Sequence, residues 1–154
     1  LTPLDRIDVA LIEALQNDAR TSNKELAALV GLSPSSTHGR VRRLQDEGVL
    51  RGAHADVDPE SVGIALQALV IIRLSRHSRE TGDDLRSHLL AQPEVVAVWY
   101  VGGEDDFLAH VAVRDTRHLS DFLMDRVTSR DEVGRVRTEI IFDHVRKPRL
   151  PTYR

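Results

Sequence analysis

The 154 residues are 41% hydrophobic and 29% charged, enough for one ordinary domain or two small ones with a buried core, and this excludes general disorder. No apolar run approaches the ~18 residues of a membrane span, no basic leader precedes an apolar stretch, and cysteine is absent, which excludes disulfide frameworks, thiol nucleophiles and cysteine-ligated metal sites. A soluble cytoplasmic protein is expected, and its net charge of −3 argues at first against a polyanionic partner.

That charge is unevenly spread. Residues 1–19 sum to −3, residues 20–43 to +4, residues 44–64 to −4 and residues 65–154 to zero. Phosphate contact depends on the local field, so the basic block is the informative quantity.

The first third reads as three short helices. Asp5 with Asp8 marks a first start, followed by Ile7, Leu11, Ile12 and Leu15 at helical spacing. Ser22 with Glu25 is a capping box, leading into Leu26, Ala27, Leu29 and Val30, with Gly31 placed for a left-handed stop. Ser33-Pro34 opens a third helix through about Gln45, which Gly48 closes. The Gly31-Leu32-Ser33 turn makes the second and third helices a helix-turn-helix.

Residues 53–64, with Asp58-Pro59 and Gly63, read as a linker between units at 1–52 and 65–154. The second unit runs strand (65–75), helix (79–91), strand (95–101), a Gly102-Gly103 turn, strand (106–114), helix (117–129) and strand (134–145). This is the ferredoxin-like βαββαβ order, an antiparallel sheet with both helices on one face, and the overall class is α+β. Both faces of the first two strands carry apolar residues: Leu69 and Ile71 oppose Leu66, Ala68, Val70, Ile72 and Leu74, while Val95, Ala97, Trp99 and Val101 oppose Val96, Val98 and Tyr100. Two helices cover only one face, so self-association through the other is expected.

On the third helix, Thr37, Val41 and Leu44 share the core side at about 100° per residue. The opposite side holds Ser35, Ser36, Gly39 and Arg43, flanked by His38, Arg40 and Arg42. With the N-cap Ser33, these residues combine hydroxyls, free helix N–H groups and arginines suited to phosphates or guanine edges. A merely solvated polar face is the plainer alternative. The turn, the capping and the basic block together favour contact with double-stranded DNA.

The segment GLSPSSTHGRVRRLQDEGVLRG (Gly31 to Gly52), with Leu4-Asp5, Asp8, Arg20 and Glu25-Leu26-Ala27 before it, resembles the Lrp/AsnC, or feast/famine, regulators. VGGEDDFL (Val101 to Leu108) resembles the glycine-x-x-aspartate loop of that family's C-terminal domain. The resemblance covers essentially the whole chain. It implies a winged-type helix-turn-helix joined to a ligand-sensing βαββαβ (RAM) domain, dimers formed through the sheets and commonly assembled to octamers, and an amino-acid effector held between dimers. Gly103 and Asp106 match the family's loop glycine and aspartate, Gly102, Glu104 and Asp105 are their neighbours, and Thr138 matches a polar position on the last strand. Two features depart from the pattern: Gly39, where the family often has a basic or bulky residue, and the acidic run Glu104-Asp105-Asp106.

Enzyme readings find little support. The seven histidines (38, 54, 77, 88, 110, 118 and 144) lack metal-ligand spacing, so no metal or cofactor is expected. Ser87-His88 near Asp83 and Asp84 forms no nucleophile motif. The expectation is a sequence-specific DNA-binding transcription regulator that responds to a small effector, an amino acid. An architectural DNA binder of the same fold, without an effector, is the alternative.

Overall fold

The computed structural model describes residues 3–76, 78–145, 147 and 149–152. The chain divides into two compact units, Leu1–Asp56 with Val145–Arg154, and Val57–His144.

The first unit contains α1 (Arg6–Asn17), α2 (Asn23–Val30) and α3 (Pro34–Asp46). All three helices begin where the sequence signals them. The Asp5 carboxylate accepts the Asp8 N–H at 2.8 Å, and the Asp8 carboxylate accepts the Asp5 N–H at 3.1 Å. Ser22 Oγ and the Glu25 carboxylate form the same reciprocal pair at the start of α2. Gly31 closes α2 at φ +67°, a left-handed conformation that glycine adopts without steric cost. Beyond α3, the N–H groups of Val49 and Leu50 both donate to the Leu44 carbonyl, at 2.9 and 3.0 Å.

Helices of 8 to 13 residues are marginal alone, so tertiary packing must hold them. Leu11, Ile12, Leu26, Ala27 and Leu44 supply the core, each large side chain contributing about 1.5–3 kcal/mol by burial.

The second unit runs β1 (Leu66–Leu74), α4 (Arg79–Leu90), β2 (Val95–Tyr100), β3 (Phe107–Val113), α5 (Thr116–Phe122) and β4 (Val133–Ile141), with a 3-10 turn at Glu60–Val62 before it. The sheet order is β2-β3-β1-β4 and every neighbouring pair is antiparallel, the α+β ferredoxin-like arrangement. Ala68, Val70, Ile72, Leu74, Phe107, Ala109, Val111 and Val113 form one sheet face of the core. Leu85 and Leu89 of α4 and Leu119 and Phe122 of α5 close over it.

Three local expectations give way. The helix expected over 117–129 is α-helical only to Phe122 and continues as wider π turns over Leu123–Thr128. The last strand stops at Ile141 instead of 145. In β2 the pairing register shifts between Val95 and Ala97, so Val95 lies opposite Val111 and Val98 opposite Ala109. Both valines therefore pack on the core, and Val95 is not on the Ala97–Trp99 face. One extra residue, Val96, breaks the alternation.

Candidate functional site

On α3, Thr37 and Leu44 are fully buried and Val41 half-buried, as the helical period requires. Ser33, Ser35, Ser36, His38, Gly39 and Arg42 are exposed. The three serines cluster at the helix start: Ser33 Oγ accepts the Ser36 N–H at 3.2 Å, donates to Ser36 Oγ at 2.9 Å and lies 3.1 Å from Ser35 Oγ. Asn23 Nδ2 donates to the Pro34 carbonyl at 2.8 Å, fixing the start of α3 against the start of α2. The Arg42 side chain is 74% exposed, with Asp46 only at 3.9 Å. Open space surrounds Gly39, so nothing within the unit requires its lack of a side chain.

Arg40 and Arg43 stand differently from the sequence expectation. Arg43 does not project from the side opposite the core; its Nη2 lies 2.7 Å from Asp8 Oδ1. Arg40 Nη1 donates to the same oxygen at 2.9 Å and to Asp5 Oδ2 at 2.7 Å. The Asp8 side chain is 2% exposed and those of both arginines 30%. Burial pushes the Asp8 carboxyl up, but Arg43, the Asp5 N–H and Arg40 outweigh it and leave it below the ordinary carboxylate value. The Asp8 N–H and then Arg40 lower Asp5 likewise, while Asp5 and Asp8 raise Arg40. Arg43 Nη1 is buried without a hydrogen-bond partner, 3.8 Å from Glu47 Oε1. The helix period missed this because the acceptor belongs to α1, although Asp8 itself was legible as a capping residue.

In the second unit, residues Gly102 to Asp106 join β2 to β3. Gly103 takes φ +143°, in the region that favours glycine, with open space beside it. Asp106 is buried: its Oδ2 accepts the Leu74 N–H at 2.8 Å, and its own N–H donates to the Ile72 carbonyl at 2.9 Å. Asp105 faces Arg137 at 3.5 Å. Gly102 and Glu104 are exposed. Thr138 sits on β4 opposite Val70, in the row that faces the helices.

The histidines have local roles. His88 Nε2 reaches the Arg126 carbonyl at 2.8 Å, His118 Nε2 reaches Glu94 at 3.1 Å, and His110 Nε2 reaches Gln67 Oε1 at 2.8 Å. Burial and then His144 lower the pKa of His110. His77 lies outside the described residues. No group of three or more His, Cys, Asp or Glu among the described residues is arranged to hold a metal ion, and no helix among them is long and apolar enough to cross a membrane.

Comparison with known proteins agrees with this architecture. Residues 4–45 match the AsnC-type helix-turn-helix domain, and residues 67–151 match the Lrp/AsnC ligand binding domain. The HTH-type transcriptional regulator AldR of Mycolicibacterium smegmatis is 42% identical over 143 residues, covering 93% of this chain and 84% of its own length. Among solved structures, the leucine response regulatory protein LrpA of Mycobacterium tuberculosis has a TM-score of 0.82 at 36% identity, covering 96% of this chain and 98% of its own. A Neisseria meningitidis transcriptional regulator solved as an L-Met complex has a TM-score of 0.83 at 29% identity, with 94% of each chain covered. The chain therefore belongs to the Lrp/AsnC family of helix-turn-helix transcriptional regulators.

Proposed function

We propose that the protein is a sequence-specific regulator that binds double-stranded DNA through the outward face of α3. Ser33, Ser35, Ser36, His38, Gly39 and Arg42 would meet the major groove, and Arg40 and Arg43 would add charge from its edge. The supporting observation is the division of labour among the α3 arginines: Arg42 is 74% exposed, while Arg40 and Arg43 brace the helix against α1. Domain limits of 1–52, 53–64 and 65–154 serve this reading, with the second domain pairing through its open sheet face into a homodimer that assembles to an octamer. A dimer would present two α3 helices to successive grooves roughly 34 Å apart, so bound sites should be near-palindromic.

Selection from randomised duplexes, followed by anisotropy titration against salt, tests this reading. Enriched near-palindromes are expected, with Arg42→Ala lowering the salt slope by about one contact. No enriched sequence and an unaltered slope would overturn it.

The effector part rests on Gly102, Gly103, Glu104, Asp105, Asp106 and Thr138, with an amino acid as the ligand. The L-Met in the Neisseria relative supports that class. A specific observation favours the second reading, an architectural DNA binder without an effector: Asp106 is engaged by Leu74 and Asp105 by Arg137, so two loop acids already have partners. Thermal shift across an amino-acid panel, then solution mass with any hit, separates the two.

A further inference from the structure

Residues 145–154 follow β4 in the chain, yet they belong to the helical unit. The Leu150 N–H donates to Gln16 Oε1 at 2.6 Å, and Thr152 Oγ1 donates to Glu13 Oε1 at 3.1 Å. Both acceptors are on α1. Pro151 stands between the two anchors, and its ring fixes φ, which lowers the entropy lost in holding this stretch in place. The attachment uses a backbone N–H and a hydroxyl, and neither Lys147 nor Arg149. Those two side chains are exposed and make no ion pair among the described residues.

Charge gives a second, independent observation. Residues 1–56 carry seven Lys/Arg and eight Asp/Glu, a net −1. Residues 145–154 add Arg146, Lys147, Arg149 and Arg154 and no acid, so the whole helical unit reaches +3. Residues 57–144 carry ten Lys/Arg and sixteen Asp/Glu, a net −6. The unit assigned to a polyanion is therefore basic only through a segment that joins it from beyond the sheet unit in sequence.

The anchor lies toward the start of α3. Asp8, in the first turn of α1, meets Arg40 and Arg43 in the second half of α3. Gln16 is about two turns further along α1, beside the turn closed by the Thr21 N–H on the Asp18 carbonyl at 3.1 Å. That turn leads to Asn23, which bonds the Pro34 carbonyl at the start of α3. Arg20 in the turn and Lys24 in α2 are exposed as well. In a helix-turn-helix the first helix crosses the duplex backbone while the second enters the groove, so this corner is the phosphate-facing one.

We infer that residues 145–154 form a second DNA-contacting element, a basic arm held on α1 that meets phosphates beside the groove occupied by α3. Lys147 and Arg149 supply the contacts, and Arg20 and Lys24 extend the same basic edge. The inference rests on the DNA-binding reading of α3. Phosphate contacts position a protein without reading bases, so the arm adds affinity and leaves the selected sequence unaltered.

Anisotropy titration of the full chain against salt, on a selected duplex and on a random one, tests the inference. Lys147→Gln with Arg149→Gln should lower the salt slope by roughly two contacts per chain and weaken binding about tenfold or more at 0.1 M salt, alike on both duplexes. The double variant should keep the wild-type Tm and select the same sequence. Arg117→Gln with Arg126→Gln removes as much charge from exposed positions of the sheet unit and should leave the slope intact. A slope unaltered by the Lys147 and Arg149 changes, or lowered as much by the Arg117 and Arg126 changes, would overturn the arm. If the wild-type chain selects a sequence and the Lys147/Arg149 variant matches its affinity, the arm alone falls. If the wild-type chain binds no duplex even at low salt, the arm and the DNA reading fall together.

Discussion

The two units solve opposite problems. The helical unit encloses charge: Asp8, 1% exposed, is gripped by two arginines from α3. The sheet unit leaves apolar surface outside its helix-covered core, with Trp99 48% exposed and Leu69, Ala97 and Leu108 half-buried. A three-helix unit has little apolar area with which to fix the rotation of its recognition helix, and hydrophobic contact is non-directional. Two guanidiniums converging on one carboxylate do fix it, because they hold only at one rotation of α3 about its axis. A broad sheet face needs no such device, since register already decides which side chains point where.

The sharpest way to break this contrast is Asp8→Ala. It removes the carboxylate that the two part-exposed guanidiniums share, leaving Arg40 with Asp5 and Arg43 with Glu47 at 3.8 Å, and should cost roughly 2–3 kcal/mol, below the loss of a fully buried pair because water screens the arginines. Chemical denaturation followed by circular dichroism reads this. The same carboxyl predicts a pH signature. Because its folded value lies below the ordinary one of about 3.9, its stabilisation is present above that value and lost as pH falls through the depressed folded value. Asp8→Asn should therefore flatten the acid limb of the stability profile of the helical unit.

In the sheet unit the matching test is Asp106→Ala. It leaves the buried Leu74 N–H without its acceptor and should cost about 1–3 kcal/mol, seen as faster amide exchange at Leu74. The smallest effect is expected from Ser22→Ala, about 1 kcal/mol through the lost N-cap of α2. A shift in thermal midpoint measures it, and a loss as large as that of Asp8→Ala would deny the ion cluster its special weight.

Much of this was legible in the residues. Ser22 with Glu25, Gly31 and Ser33-Pro34 placed three helix ends because capping is a local interaction written within four residues. The succession of strands and helices in the second unit followed from the alternation of residue patterns along the chain. What stayed hidden depended on partners distant in sequence. Arg40 and Arg43 looked free on a helical wheel that cannot include Asp8, 32 residues from Arg40. The bulge at Val96 was invisible because Val95 to Tyr100 is apolar throughout and fits either register.

The bulge has a practical consequence. By absorbing one residue it sets Trp99 opposite Leu108, on the face away from α4 and α5. Trp99 is the only tryptophan in the chain. The protein thus carries a native optical probe on that one surface, and its emission should shift to the blue when another surface covers the sheet while the helical unit contributes no tryptophan signal. Assembly can then be followed without a label.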